Sequence, residues 1–237
     1  MMNESIVDET TIIPIIPMKP LADCKTRLSR TLTAEERGDL VIGMLRRVLM
    51  AIRGASVEVF WVVGGDWRVR NLTRNFDGIW MEDLGRNLND TVDKSFDRAS
   101  QRGYGAMYLP GDLPFIKPAD ITSMIRSAGH GRNIVLAPAR RDSGTNGILI
   151  PPKLAFKPEL GNRSFTKHLS QAGKLGISVA ICYSEGLGFD LDITEDLEFF
   201  QQREPGLLDR LTPHKTPSTN PMAEFPHLRG EGDPTAI

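Results

Sequence analysis

The chain has 237 residues, enough at about 150 per domain to bury a substantial core without disulfides or structural metals. Its apolar fraction of 40% and charged fraction of 25% exclude a wholly disordered, collagen-like or coiled-coil chain. Lys and Arg number 29 against 30 Asp and Glu, a net charge of -1, so there is no global basic field for counterion-release binding to nucleic acid; an anionic partner has to be met by a local cluster.

Residues 1–10 read as a flexible N-terminus, acidic through Glu4, Asp8 and Glu9 and without the positive charge of a signal or transit peptide. No apolar run approaches the roughly 18 residues of a membrane span, and Cys24 and Cys182 lack metal-ligand spacing. A cytoplasmic protein that binds neither membrane nor nucleic acid is expected. Thr11–Pro17 is β-branched and bracketed by punctuation, a first strand in which Pro14 should sit at an edge or irregularity. A basic loop, Met18–Leu32, leads to Thr33 and Glu36, a capping box ahead of the apolar-periodic run Leu40, Val41, Met44, Leu45, Val48, Leu49, Ile52.

Strands are expected at Val57–Val63, Ile79–Glu82, Ala106–Leu109, Asn133–Pro138, Ile148–Ile150 and Val179–Tyr183. Helices are expected over Asn87–Arg102, Pro118–Ala128 and Ser164–Leu175, with a last one opening at Thr194. This alternation predicts an α/β domain over residues 11–204: a three-layer, doubly wound, mostly parallel sheet that binds ligands at the carboxyl ends of its strands. From Pro205 to Ile237 prolines accumulate and periodicity fades, so an extended or disordered tail is expected.

No P-loop, dinucleotide GxGxxG, HExxH or GxSxG pattern follows any predicted strand, which excludes ordinary NAD enzymes and P-loop NTPases. Four other patterns stand out. Lys19, Lys25 and Arg27, in the loop opened by Pro17, could clamp a triphosphate. Asp112, in Leu109-Pro110-Gly111-Asp112-Leu113-Pro114, follows a short apolar strand and could hold a magnesium ion. Asp190 and Asp192 lie on one side of an extended segment while Leu191 points inward, an arrangement that calls for a cation between them. Asp142–Asn146 and Gly161–Phe165, the latter opening a helix at Ser164, suggest a second binder of phosphate or carboxylate. Taken singly, the basic loop reads rather as a solvated surface and Asp112 as an Asx-turn acid; the acidic pair and Ser164 divide evenly between site and structure. Their combination and order are what a magnesium-dependent nucleotidyl transferase needs.

At this point KPLADCKTRL, LPGDLP, SGTNGILI, GNRSF and FDLDITEDL, in that order, make the chain similar to the 2-phospho-L-lactate guanylyltransferases of coenzyme F-420 biosynthesis, from about Ile12 to Phe200. The resemblance implies a nucleotidyltransferase fold related to the sugar-nucleotide transferases. It also implies transfer of GMP from GTP to a three-carbon phosphoacid (2-phospho-L-lactate, phosphoenolpyruvate or 3-phosphoglycerate) with release of pyrophosphate. Carried over by position, Lys19 and Lys25 would contact the GTP phosphates, Asp112, Asp190 and Asp192 would hold magnesium, and Thr145, Gly161 and Ser164 would hold the phosphoacid. Pro17, Arg27, Asn89, Pro110 and Gly111 would lie along the nucleotide, with the segment from Glu82 to Asn89 beside the nucleoside. Thr194 stands after Ile193 where the family commonly has Thr-Pro, a change to helix entry rather than to chemistry.

The implied reaction is in-line attack by an acceptor phosphate oxygen on the α-phosphorus; that phosphate is already ionised near neutral pH, so no general base is required. Three alternatives stay open at this point: another nucleotide such as CTP with a sugar phosphate, an Asp-x-Asp glycosyltransferase, and a non-catalytic nucleotide sensor. A homodimer is the expectation on general grounds alone.

Overall fold

A computed structural model describes residues 11–212 except His130 and Asp142. The described residues form seven strands, β1 (Ile12–Met18), β2 (Trp61–Gly64), β3 (Ile79–Met81), β4 (Gly105–Tyr108), β5 (Asn133–Pro138), β6 (Thr145–Ile150) and β7 (Ser178–Ile181). Eight helices accompany them: α1 (Ala34–Gly54), α2 (Trp67–Asn75), α3 (Leu88–Ser100), α4 (Pro118–Ser127), α5 (Ser164–Leu175), α6 (Glu185–Gly188), α7 (Thr194–Arg203) and α8 (Leu207–Leu211). The sheet order is β3-β2-β1-β4-β6-β5-β7, and β6 alone runs against its neighbours β4 and β5. The doubly wound, mostly parallel sheet read from the sequence is therefore present.

Side-chain alternation sorts the core into two layers. Ile13 and Ile15 of β1, Trp61 and Val63 of β2 and Ile148 and Ile150 of β6 pack against Val92, Phe96 and Ala99 of α3 and Ala172 of α5. On the opposite face Ile16, Met18, Val62, Met107 and Leu149 meet the apolar side of α1 together with residues of α2, α4 and α7. The capping box at the start of α1 forms as expected: Thr33 Oγ1 accepts from the Glu36 N–H at 3.2 Å, and the Glu36 carboxylate accepts from the Thr33 N–H at 2.9 Å.

Pro14 departs from expectation, because β1 is the third strand of seven and has neighbours on both sides. The two ladders overlap only at Ile15: β1 pairs with β4 from Ile12 to Ile15 and with β2 from Ile15 to Met18. Thr11 and Ile15 accept from Gly105 and Leu109, so odd residues present their polar backbone to β4 and even residues to β2. Pro14 thus lacks its N–H toward β2 before that ladder begins, and Pro17 lacks it toward β4 after that ladder has ended.

The expected tail also begins with structure. Leu207 and Leu211 of α8 are buried in the α1 layer, and Thr212 Oγ1 donates to the Leu208 carbonyl at 2.8 Å. The rest of the tail, from residue 213, and residues 1–10 lie outside the described residues. Contact between α1 and α8 is close enough that a Cβ on Gly43 would overlap the Leu211 carbonyl. Gly43→Ala should therefore displace α8 and lower stability by about 1–3 kcal/mol, read as a fall in melting temperature. A melting temperature unchanged by the added methyl would mean that α8 does not dock there.

Among the described residues no helix is long and apolar enough to cross a membrane.

Candidate active site

In the strand order, β2 and β3 lie on one side of β1 and β4 on the other, so the loops after β1 and β4 diverge at the carboxyl ends of adjacent strands. A cavity of about 620 Å³ opens there, and its wall includes Pro17 near the end of β1, Lys19, Lys25 and Arg27 after it, and Pro110, Gly111 and Asp112 after β4. Asp83, Gly85, Arg86, Asn87 and Leu88, between β3 and α3, close a further side. The bare backbone of Gly111 lets the Met18 side chain lie close against the β4 loop; a Cβ at this position would make the Met18 sulfur shift.

The basic loop is held in shape by apolar pins and carbonyl clamps. Leu21 and Leu28 are buried within two 3-10 turns, Leu21–Asp23 and Thr26–Leu28. Arg37 of α1, itself buried, donates from Nε to the Cys24 carbonyl at 3.3 Å and from Nη1 to the Leu32 carbonyl at 3.1 Å. Lys25 adopts a left-handed conformation, φ 50°, where the two turns meet. Its Nζ is thereby turned inward, with the side chain only 8% exposed, to pair with Asp112 and with Asp192 at 2.8 Å. Burial alone would push this ammonium down, but the two carboxylates outweigh it and raise it above its ordinary value. Lys19 and Arg27 stand exposed on the same wall and make no ion pair with any described residue.

The acidic segment reaches the site from the other end of the chain. The Leu191 N–H donates to the Asp112 carbonyl at 3.3 Å, and the Leu191 side chain is fully buried; Asp192 lines the cavity, while Asp190 lies beside it and pairs with Asn146. Asp196 Oδ2 accepts from the N–H groups of Asp192 and Ile193 at 2.8 and 2.9 Å and fixes the entry to α7. Arg141 pairs with Asp196 at 2.8 Å and with Asp192 at 3.6 Å.

Burial, reinforced by the charges of Asp112 and Asp192, pushes the Asp190 carboxyl up to about 6, although it accepts from Asn146 Nδ2 at 3.2 Å. Burial acts in the same direction on Asp192, but Lys25, Arg141 and a hydrogen bond from Asp190 hold it below the usual range. The corner thus carries more negative charge than Lys25 neutralises. Among the described residues no three His, Cys, Asp or Glu side chains are grouped as ligands of one metal ion, since the Lys25 ammonium already bridges Asp112 and Asp192. The three carboxylates are hard oxygen donors, the donor type that a divalent cation takes.

Thr145, Gly161 and Ser164 form a second cluster outside the wall of the main cavity. Ser164 Oγ donates to Thr145 Oγ1 at 3.1 Å, and both residues are nearly buried. Thr145 reaches α5 because β6 bulges: Ala137 faces Gly147 while Pro138 faces Thr145, so Asn146 is an extra residue and side-chain alternation is reset. The same bulge frees Asn146 for Asp190 and so connects the two clusters. Asn89, expected along the nucleotide, spends both halves of its amide on Leu160, accepting from its N–H at 2.7 Å and donating to its carbonyl at 3.1 Å. It holds the Gly161 loop and does not line the cavity.

Sequence reasoning missed Arg37, Tyr108, Arg141 and His168, and it named Asn146 only as the end of a candidate binding segment. Tyr108 had a readable signal, being the last residue of a strand that leads into the Asp112 loop. Burial, followed by the charges of Asp112, Asp190 and Asp192, keeps its phenol protonated on the cavity wall. Cys24 is an ordinary thiol pushed up by burial, donating toward the Lys19 and Pro20 carbonyls.

The backbone matches a protein from Desulfovibrio desulfuricans described as a nucleotide-diphospho-sugar transferase, with a TM-score of 0.68 over 86% of this chain and 98% of that one at 14% identity. It also matches a nucleotidyl transferase from Methanothermobacter, with a TM-score of 0.53 over 81% and 97% at 16% identity. The fold is that of the nucleotidyl transferases.

Residues 12–201 match the family described as "Guanylyl transferase CofC like". The phosphoenolpyruvate guanylyltransferase of Rubrobacter xylanophilus is 36% identical over 79% of this chain and 92% of that protein. The 2-phospho-L-lactate guanylyltransferase of Methanothrix thermoacetophila is 34% identical over 77% and 80%. The chain belongs to the CofC-like guanylyl transferase family.

Proposed function

We propose that the protein transfers GMP from GTP to a three-carbon phosphoacid, of the class formed by phosphoenolpyruvate, 2-phospho-L-lactate and 3-phosphoglycerate, releasing pyrophosphate as a step of coenzyme F-420 biosynthesis. The observation that carries this reading is the meeting of Lys25 with Asp112 and Asp192 at the mouth of β1 and β4, with Lys19 and Arg27 exposed on the same wall. Lys19 and Arg27 bind the triphosphate there, the Arg as a planar fork and the Lys as a point charge. Asp112, Asp190 and Asp192 would hold magnesium, which when bound stabilises negative charge developing on the α-phosphoryl group. Lys25, whose ammonium lies between Asp112 and Asp192, would supply a further positive charge to the phosphates.

Thr145, Ser164 and the Gly161 turn orient the acceptor. Its phosphate is an ionised nucleophile at neutral pH, so these residues supply position rather than proton transfer. One phosphate and one carboxylate are common to all three candidate acceptors, and the names of the relatives include two of them.

The test is pyrophosphate release by the purified protein with magnesium and GTP, run in parallel with phosphoenolpyruvate, 2-phospho-L-lactate and 3-phosphoglycerate, with CTP as the competing nucleotide. The expected result is release that requires GTP and one of the acceptors. Release with CTP and a sugar phosphate, and none with GTP and any phosphoacid, would overturn the reading.

A further inference from the structure

His168 of α5 is fully buried, lies outside the main cavity and has no part in the transfer described above. Both ring nitrogens are engaged. Nε2 lies 2.9 Å from the Glu159 backbone nitrogen, and Nδ1 lies 3.1 Å from Thr145 Oγ1. A backbone N–H can only donate, so Nε2 must offer its lone pair; a neutral imidazole has one N–H, and it must be on Nδ1. Nδ1 therefore donates to Thr145. The hydroxyl of Thr145 accepts a second hydrogen bond from Ser164 Oγ, which fills both its lone pairs and leaves its own hydrogen as the one group it can still offer.

The same ring also fixes the neighbouring loop. Its hold on Glu159 acts two residues before Gly161, and Asn89 grips Leu160 between them, so consecutive peptide units leading into the turn are tied to the buried His168 and the half-buried Asn89. Phe156 packs on the imidazole with ring centroids 5.9 Å apart. Burial is the main cause that brings the ring down to about 4, so it stays neutral through the physiological range.

We infer that His168 is a positioning residue for the acceptor: through its Nδ1–H tautomer it aligns Thr145, Ser164 and the Gly161 turn as one preassembled cradle and makes the Thr145 hydroxyl a donor toward the acceptor's phosphate or carboxylate. This rests on the acceptor-site reading of Thr145, Gly161 and Ser164. Its interest lies in separating two jobs: the acids and the basic loop handle GTP, while one buried ring sets the polarity of the acceptor site.

The test compares three replacements. His168→Asn keeps an amide donor two bonds from Cβ, where Nδ1 sits; His168→Gln places an acceptor nearer Glu159 and withdraws the donor from Thr145; His168→Phe removes both. The expected result is a KM for the acceptor raised about tenfold or more in the Gln and Phe variants and only a few-fold in Asn, with the KM for GTP and the kcat at saturating acceptor changed less than about threefold. Equal effects on both substrates, or no rescue by Asn relative to Phe, would overturn the inference.

Thr145→Val separates this from the reading beneath it. If that variant leaves the acceptor KM unchanged, the acceptor site lies elsewhere; if it raises the KM while a folded His168→Phe does not, only the positioning role fails. Should the variants not fold, 15N NMR of the wild-type imidazole still decides, since an Nε2–H tautomer or an imidazolium at pH 7 would overturn the assignment.

Discussion

Asp190→Asn should abolish turnover and stabilise the protein. On the proposed reading, the loss of activity follows from removing one of three acids that would hold magnesium beside the triphosphate, and should reach at least about 10²-fold in kcat. The gain in stability follows from linkage. In the folded chain the Asp190 carboxyl lies at about 6 against an ordinary value of 3.8, because burial and the charges of Asp112 and Asp192 resist its ionisation. A group raised on folding favours the native state fully below its unfolded value and loses that contribution as pH rises through the folded one. The wild type therefore carries a penalty that grows between about pH 4 and pH 6 and persists above, on the order of 2 kcal/mol, and the neutral amide does not incur it. Thermal unfolding in a chelator should show the variant more stable at pH 7.5 and equal to wild type near pH 3.5. An active variant would sink the catalytic assignment, and a variant less stable at pH 7.5 would sink the electrostatic account of the corner.

Lys25→Met should have the opposite effect on stability and a comparable effect on activity. The ammonium is the positive charge between Asp112 and Asp192, and its removal leaves two partly buried carboxylates facing each other beside Asp190. Truncating one member of a fully buried ion pair costs about 3–5 kcal/mol; here both acids keep some access to water, so a loss of about 1–3 kcal/mol is expected in the absence of divalent cations. Magnesium should restore more of this loss in the variant than it adds to the wild type, because a cation entering the corner no longer has to displace the lysine. Titration of the melting temperature with magnesium reads the difference directly. Identical responses in the two proteins would mean that Lys25 does not occupy the cation's place. Activity should fall by about 10²-fold even with magnesium, since the phosphates lose a buried donor. Lys25→Arg should not rescue it, because a planar fork cannot fill a position shaped for one compact ammonium between two acids.

Much of the fold was legible because local signals and long-range packing agree in it. The capping box at Thr33 and Glu36, the Ser164–Leu175 helix and the Asn133–Pro138 strand form as read. Helix α2 was missed: only Val69, Leu72 and Thr73 of its nine residues are buried, so its sequence, WRVRNLTRN, carries too thin an apolar stripe, although Asp66 is a sound N-cap. Helix α8 was hidden between Pro205 and Pro213, and its two buried leucines acquire meaning only beside Gly43.

At the site, Lys25, Asp112 and Asp192, all singled out in the sequence, meet at one corner, and Leu191 is buried as expected. What could not be read was who meets whom. Lys25 reaches acids 87 and 167 positions away, and no local pattern fixes which of three loop cations turns inward. Position 25 does so because its left-handed backbone aims the side chain at Asp112. Asn89 shows the converse: an amide read as a nucleotide ligand is consumed by the backbone of Leu160. The bulge at Asn146 is equally invisible in TNGILI, because it arises from the mismatch with β5 rather than from the segment's own preferences.

The two prolines of β1 act as a ruler for the site. Each sits where its neighbouring ladder is absent, so the strand in its native alignment forfeits no hydrogen bond to proline. Sliding β1 by one residue in either direction would carry both ring nitrogens into rungs that need a donor, and sliding it by two would carry at least one there. Misalignment thus has an immediate penalty at the centre of the sheet, before any side chain is consulted. The loop that begins at Pro17 consequently leaves the sheet at one height only, which fixes the level at which Lys25 can look across at Asp112. Residues that donate no backbone hydrogen bond of their own thereby set the distance at which Lys25 meets Asp112.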